Sequence, residues 1–496
     1  MTSVLRLEFF RSDFAHFLLG AFILFMTLAA STRLGEALAV TLIVLLAVFG
    51  LVVIAFVAVP HISIALTIPL FALLPALKAL YLPWIGPLKD VVTIAAAAAA
   101  LVTIVQAARG GRRVPGDVWI AALVGFLFAL YVLNLGAGLQ PSWAWGHGVR
   151  LFALPMALLL AGMTLREPAR TLRWSLFSLI VTCTVVAIVG ILQQLAGGQR
   201  LVEFGWLWDR NVRTIDGFLR SFGTLDEPFA YAALLVFGLC AVLMWAPRRP
   251  LTFVAFAVIV VGLSLSVVRT AALIAAGLIA LLLARHGKTV SAVFMLAVVL
   301  VATATFIFSQ EATERRVVQG GPSLFYTLNG RTEAWRAVFA DGEDIPMGRG
   351  VGDVGTAANR AHYSVTRTRQ EAMEGSKALI VDSGYFAIAA DIGLVGLAGL
   401  LLLLGRLGLL GYRAVVRGRN EGWVALALLV SLSLDAVTRE SFSAFPTAYV
   451  GLLLVGVALA ATHDSPETAE GGEPVRRRTR RRARPRTLPE PRPSGA

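Results

Sequence analysis

The sequence has little charge and almost no cysteine. Only 15% of its 496 residues are charged, whereas 57% are hydrophobic, and the mean hydropathy is +0.76. Soluble globular chains carry about 25% charged residues, so this composition excludes an ordinary soluble domain. The two cysteines, Cys183 and Cys240, both lie inside apolar runs, where cysteine behaves as a small hydrophobic residue. We therefore expect no disulfide and no zinc site.

Phosphate loops and metal-ligand clusters are also missing from the sequence. The run GRGVGD at residues 348–353 imitates a dinucleotide fingerprint, but no strand precedes it and no parallel α/β unit surrounds it. We interpret it as a tight turn in a loop. No cofactor and no metal are expected.

The basic residues are concentrated at the end of the chain. The formal net charge is +14, and the densest block is RRRTRRRARPR at residues 476–486. Beside a membrane, such a proline-containing block is typical of a disordered arm that binds anionic lipid. We expect this lipid contact and no nucleic-acid partner.

Long apolar runs dominate the rest of the chain. Each is about 17–25 residues long, enough to cross a hydrocarbon layer of about 30 Å as a helix. The sequence therefore predicts an all-α, polytopic integral membrane protein with about 12–14 transmembrane helices. The expected spans lie near residues 14–31, 36–59, 61–83, 90–108, 117–135, 149–165, 172–196, 227–247, 250–267, 269–285, 289–309, 379–404, 421–437 and 443–462.

The charges between these runs predict the topology. Arginine and lysine crowd every second connection and the tail, which by the positive-inside bias places both termini in the cytoplasm. Two long segments, 197–227 and 309–378, then lie outside, and loops this long usually bind or catalyse. The predicted organisation is N-terminal helices at 1–140, central helices at 141–308 with the outer loop 197–227, a large periplasmic or extracellular loop at 309–378, C-terminal helices at 379–462, and a disordered basic cytoplasmic tail at 463–496.

Several arginines lie on the predicted outer side, against the bias. Charge at the hydrocarbon boundary is costly unless it is paired or faces a polar cavity. Guanidinium groups there suit phosphate or pyrophosphate, which they bind bidentately. They can equally reach lipid headgroups or pair with carboxylates such as Asp226, Glu227 or Asp382. The arginines concerned are Arg150, Arg220, Arg269, Arg331 and Arg336.

Carboxylates and one histidine complete the candidate set. Asp382 is predicted about one turn inside a span, where it could act as a general base, hold an arginine, or form a structural salt bridge. Asp391 should point to the opposite helix face and contact another helix. His362, in the large loop, is either a second proton acceptor or a solvated residue.

Five motifs in a fixed order carry a resemblance. They are RSFGTLDEPFAYA from residue 220, the arginine at 269, NGRTEAW from 329, PMGRGVGDVG from 346 and DSGYFAIAADIGLVGLAG from 382. Over roughly residues 140–460 the chain resembles the O-antigen ligase and O-antigen polymerase superfamily. Those proteins are multi-span glycosyltransferases with a large periplasmic loop, and they use a polyprenyl-pyrophosphate-linked glycan as donor.

The resemblance implies roles for particular residues. Arg220 and Arg269 would hold the donor pyrophosphate beside a catalytic Asp382, and Arg331 would be the arginine of the GR-x-x-x-W motif. Arg150, Arg336 and His362 join Arg331 as expected substrate-binding residues. Ligases of the family carry a histidine where this chain has Asp382, and this difference favours the polymerase and exopolysaccharide branch.

The expected activity is polymerisation of lipid-linked repeat units at the bacterial inner membrane, with a flippase and a chain-length regulator as partners. The alternatives are an O-antigen ligase that transfers glycan to lipid A core, a transporter of lipid-linked oligosaccharide or a small anion, and a non-catalytic scaffold. Transporters commonly show internal repeats and paired broken spans, and neither is evident in the sequence.

Overall fold

The computed structural model describes residues 47, 49–82, 85–110, 116–133, 142–164, 166–208, 211–215, 218–245, 250–285, 346–352 and 383–463. These residues are 82% helical, which confirms the predicted all-α character for this part of the chain. The helices are α1 (Phe49–Ala58), α2 (Pro60–Leu80), α3 (Leu88–Arg109), α4 (Val118–Leu133), α5 (Ser142–Thr164), α6 (Pro168–Glu203), α7 (Pro228–Met244), α8 (Pro250–Leu265), α9 (Arg269–Arg285), α10 (Gly384–Val416), α11 (Asn420–Thr438) and α12 (Thr447–Ala461). Two short strands, β1 (Thr214–Ile215) and β2 (Phe218–Leu219), form a hairpin between α6 and α7.

Six helices, α2, α3, α5, α6, α10 and α11, are long and apolar enough to cross a membrane. Helix α6 also leaves a continuous apolar stripe exposed, with the spacing of a single helix face. An exposed apolar surface of this kind needs lipid or another protein to cover it. These features identify a multi-pass membrane protein. The stripe consists of Phe177, Val181, Val185, Ile188, Leu192 and Leu195.

Proline marks the start of several helices. Helices α2, α6, α7 and α8 begin at Pro60, Pro168, Pro228 and Pro250. Proline suits the first helical position because its fixed φ is already helical and its missing N–H has no partner there. The chain thus encodes these boundaries locally.

Helices α7 and α12 lie in the middle of the bundle, and nearly all of their residues are buried. Helix α12 crosses α5 at glycine. A Cβ added at Gly456 would lie 2.3 Å from the Leu159 carbonyl oxygen, and one at Gly162 would lie 2.5 Å from the Leu453 carbonyl oxygen. Small residues permit this close approach, as in other membrane helix pairs.

Some helix boundaries differ from those expected. Helix α5 begins at Ser142 rather than near 149, so Arg150 lies two turns inside it instead of opening it. Helix α10 begins at Gly384 rather than 379. Helix α6 continues to Glu203 past a break at Gly197 (φ 78°). Hydropathy locates the apolar part of a helix, but a helix can extend with polar residues beyond it or begin later than the apolar run.

Helix α10 is broken at Gly393 (φ 72°), and the segment 346–352 fills the break. The Arg349 amide donates to the Ala390 carbonyl at 2.7 Å, and the Val395 amide donates to the Pro346 carbonyl at 3.5 Å. Backbone groups at membrane depth need partners inside the protein, and this segment supplies them. Its glycines 348, 350 and 352 all have positive φ, which confirms the predicted turn for this part of the run.

Candidate functional site

The loop before α7 is fixed to α6 by two glutamines. Gln193 Oε1 accepts the amides of Phe222 and Gly223 at 3.1 and 2.8 Å, and its Nε2 donates to the Gly223 carbonyl at 2.7 Å. Gln194 Nε2 donates to the Leu219 carbonyl and to Ser221 Oγ. This clamp holds the RSFGT motif rigidly against the end of a membrane helix.

Arg220 opens that motif and is only 8% exposed. Its Nε donates to the Ser266 carbonyl at 3.3 Å, and its guanidinium lies 4.7 Å from the centre of the Phe229 ring. The pKa of Arg220 is lowered to about 10, first by burial and then by the positive charge of Arg213; Glu227 opposes this lowering, and Arg269 adds to it. The group therefore stays charged at neutral pH, and no carboxylate in the described part of the chain forms an ion pair with it.

Arg269 is the first residue of α9 and follows a tight turn after α8. Arg220 donates to the carbonyl of Ser266 in that turn, and the charge of Arg269 helps to lower the pKa of Arg220, so the two arginines lie near each other. Val267, in the turn between Ser266 and Arg269, has φ 52°, a conformation that is rare for a β-branched residue. Strained backbone of this kind persists where the surrounding structure enforces it, often at functional sites.

A carboxylate and a second arginine connect this site to α11. Glu227, at the start of α7, forms an ion pair with Arg439, which directly follows α11. Arg439 also lies 3.9 Å from the Asp435 carboxylate. Burial alone would lower the pKa of Arg439, but Glu227 and Asp435 raise it above its usual value.

The start of α10 lies against the same arginine. The Gly384 amide donates to the Arg439 carbonyl at 2.8 Å, and Ser383 Oγ donates to the Ala436 carbonyl at 3.2 Å. Ser383 is 1% exposed. The segment that follows Asp382 in the chain is therefore anchored beside Arg439 and, through Glu227, beside the Arg220 loop.

Arg150 belongs to a separate cluster. Its guanidinium lies 3.4 Å from the Asp90 carboxylate, which also lies 3.3 Å from Lys89. Lys89 Nζ donates to Tyr449 Oη at 3.3 Å and lies over the rings of Phe445 and Tyr449, 5.1 and 4.9 Å from their centres. Lys89 and Asp90 are not among the residues predicted from the sequence, although two adjacent charges at the start of an apolar run were a usable signal.

The group around Arg220 and Glu227 and the group around Arg150 and Lys89 both reach the connection between α11 and α12. Arg439 lies at its beginning and Phe445 near its end, one turn before Tyr449. Phe71 of α2 packs edge-on against Phe445 and Tyr449, with ring centres 5.3 and 5.9 Å apart. Its neighbour Ala72 accepts a hydrogen bond from Thr224 of the RSFGT motif. The structure thus brings Arg150, Arg220 and Arg269 to one end of the bundle, in two groups.

The remaining candidates are only partly covered. Arg331, Arg336, His362 and Asp382 lie outside the described residues. Asp391 contacts another helix, as expected: its carboxylate accepts the Tyr131 hydroxyl at 3.3 Å. In the ranges that the structure describes, no three His, Cys, Asp or Glu side chains gather as metal ligands do.

No known protein family and no curated protein matches this chain. The resemblance therefore depends on the five motifs themselves. Three of them, those containing Arg220, Arg269 and Gly384, adjoin in the fold.

Proposed function

We propose that this chain is a membrane glycosyltransferase that polymerises polyprenyl-pyrophosphate-linked repeat units into a surface polysaccharide. Its place would be the bacterial inner membrane, with the site on the outer face and both termini in the cytoplasm. A flippase would supply the repeat units, a chain-length regulator would set their number, and the basic tail would bind anionic lipid.

One observation supports this function above the others: residues from distant motifs meet at one end of the bundle. Arg220 and Arg269 adjoin through the Ser266 carbonyl, and Glu227 and Arg439 connect them to the start of α10, where Asp382 precedes the helix. Cations beside an anchored aspartate segment are what transfer from a pyrophosphate donor requires.

The proposed reaction needs no covalent enzyme intermediate. The acceptor hydroxyl gives its proton to Asp382 while its oxygen bonds to the anomeric carbon of the donor. The bond from that carbon to the pyrophosphate oxygen breaks, and its electron pair remains on the pyrophosphate. Arg220 and Arg269 stabilise this developing charge. Stabilisation of transition-state charge by preorganised groups is usually the largest single contribution to enzymatic rate enhancement.

The deciding experiment uses a deletion strain complemented with wild type, Arg269→Ala, Asp382→Ala or the control Arg200→Ala. Arg200 is an exposed arginine near the end of α6, outside the site. Immunoblots of membrane fractions check that all variants accumulate equally. Surface glycan length and its attachment to lipid A are then measured. Loss of one positioned charge should lower the polymerisation rate by about 10²–10³-fold.

The strain without the gene should accumulate single lipid-linked repeats, and only wild type and Arg200→Ala should restore long chains. Long chains that remain on the polyprenyl carrier but are missing from lipid A would indicate a ligase instead. Full activity of both Arg269→Ala and Asp382→Ala would refute the enzyme and favour a transporter or a scaffold.

A further inference from the structure

Between the break in α6 and α7, the chain forms a small lobe with an apolar core of its own. In the part of the chain that the structure describes, this lobe consists of residues 198–208, 211–215 and 218–222. Its buried core contains Leu201, Trp206, Val212, Leu219 and Phe222. The core packs on Ala76 and Leu80 near the end of α2. The lobe is thus a folded unit that rests on one end of the bundle.

The outside of the lobe is apolar as well. Phe204 and Phe218 are 71% and 72% exposed, and Leu207 and Trp208 are also exposed. We call these four residues the apolar surface of the lobe. Single exposed apolar residues are normal on a protein, whereas several large ones close together indicate an interaction site. Aromatic residues and leucine beside an exposed charge such as Glu203 are typical of elements that lie in a membrane interface.

An apolar groove of about 320 Å³ connects this surface to the exposed stripe of α6. Leu192 of the stripe and Phe204 of the lobe both line the groove, together with Leu80 of α2. Apart from Gln193 and Thr224, the lining is apolar. Lipid chains that cover the stripe therefore reach Phe204 along a surface that offers water few polar partners.

The break at Gly197 fixes the level of the lobe. Gly197 has φ 78° and ψ 160°, a conformation suited to glycine, and it lies two residues after Leu195, where the stripe ends. A Cβ added at the next residue, Gly198, would lie 2.8 Å from Cη2 of the Trp208 ring. The Trp208 ring thus packs on the break, where the apolar stripe gives way to the lobe. Tryptophan is enriched at this boundary between hydrocarbon and water.

We propose that the lobe is a membrane-interface anchor, and that its apolar surface inserts into the bilayer beside the end of α6. Its partner is the lipid at the boundary between headgroups and acyl chains. Because Gln193 and Gln194 clamp the RSFGT motif to α6 beside the lobe, the anchor also fixes that motif at the membrane surface. This inference does not depend on the chemistry that the protein performs.

The test measures how deep single side chains lie in the bilayer. Full-length protein carries one nitroxide label on Phe204→Cys or Phe218→Cys and is reconstituted in phosphatidylcholine nanodiscs. Cys183 and Cys240 are fully buried, and wild type treated in the same way gives the background labelling. The accessibility of each label to oxygen, which enters hydrocarbon, is compared with its accessibility to a water-soluble nickel chelate.

Each test position has a matched control. Glu203→Cys is the neighbour of Phe204 and replaces an exposed carboxylate, which is costly to place in hydrocarbon. Thr214→Cys is the control for Phe218. Thr214 is exposed, and it adjoins Ile215, the strand partner of Phe218, so its side chain points to the opposite face of the hairpin. All four positions are exposed, so the substitutions leave the core of the lobe intact.

The labels at 204 and 218 should be more accessible to oxygen than to nickel, at a depth of about 5–10 Å in the boundary between headgroups and acyl chains. The labels at 203 and 214 should be more accessible to nickel. Because no glycan takes part, failure of the proposed glycosyltransferase activity would leave this result unchanged.

Three results would overturn the anchor. Higher nickel than oxygen accessibility at 204 and 218 would place the apolar surface in water. Low accessibility to both probes would show that protein covers it, either another segment such as the predicted loop 309–378 or a second copy of the chain. Equal values at the test and control positions would show that the lobe has no side that faces the membrane.

Discussion

Replacing Gly393 with alanine should destabilise the protein by about 2–6 kcal/mol. Gly393 has φ 72° and ψ −174°, a backbone region that is essentially restricted to glycine and that costs another residue about 1–3 kcal/mol. The new Cβ would lie 2.1 Å from the Pro346 carbonyl oxygen, so the 346–352 segment must shift. Forcing extra atoms into a packed site costs about 1–3 kcal/mol more.

The matched control is Gly405→Ala on the same helix. A Cβ at Gly405 meets nothing within 4 Å, and alanine is a better helix former than glycine by up to about 1 kcal/mol. The two identical substitutions should therefore change stability in opposite directions. Unfolding by sodium dodecyl sulfate in maltoside micelles, followed by tryptophan fluorescence, measures both.

Gly348→Ala offers a second check, because its Cβ would lie 2.6 Å from the Gly393 amide nitrogen. The two glycines contact each other, so the double variant should cost less than the sum of the single variants. Equal stability of Gly393→Ala and Gly405→Ala would refute the account of α10 as a helix whose break is filled by the loop segment.

Three further substitutions test other contacts. Glu227→Gln removes the main ion-pair partner of the buried Arg439 and should lower the free energy of unfolding by about 1–3 kcal/mol in the same assay. Burial raises the pKa of Asp117, but its ion pair with Arg406 at 2.6 Å and the hydrogen bonds from the Ile120 and Trp119 amides together lower it below the ordinary value. Asp117→Asn should therefore lose stability at pH 7, and the difference from wild type should disappear as the pH falls from 3.8 through the lower folded-state pKa. Gly456→Ala should push α12 away from α5 and cost about 1–3 kcal/mol of unfolding free energy.

Controls separate these effects from general damage. Glu167 pairs with Arg170 on the surface, so Glu167→Gln should change the unfolding free energy by less than about 0.5 kcal/mol. A Cβ at Gly277 meets nothing within 4 Å, and Gly277→Ala should not destabilise α9. An Asp117→Asn difference that does not shrink as the pH falls below 3.8, or equal effects of Gly456→Ala and Gly277→Ala, would contradict the contacts described.

The sequence predicted the helices well and their interruptions poorly. Long apolar runs located all twelve of the described helices, because a membrane span needs about 20 apolar residues. The break at Gly393 was missed because the residues around it are apolar, and the segment that fills it lies about 40 residues earlier in the chain. The hairpin was missed because strands of two residues leave no periodic signal.

For the site, too, individual residues could be predicted from the sequence but their arrangement could not. Arg150, Arg220 and Arg269 could be singled out one by one, since charge near the hydrocarbon is unexpected. Their grouping could not, because it depends on contacts between distant residues such as Glu227 with Arg439. Lys89 and Asp90 escaped notice because each neutralises the other locally, and only the fold reveals the aromatic rings around Lys89.

The filled break in α10 has a consequence for how the protein is made. Residues 346–352 leave the ribosome before α10, yet they are needed to bond the Ala390 carbonyl and the Val395 amide of that helix. A newly made α10 therefore has unsatisfied backbone groups until the preceding segment packs against it. We expect its final shape to be acquired only after the segment has docked, so that this helix is completed by residues that were synthesised before it.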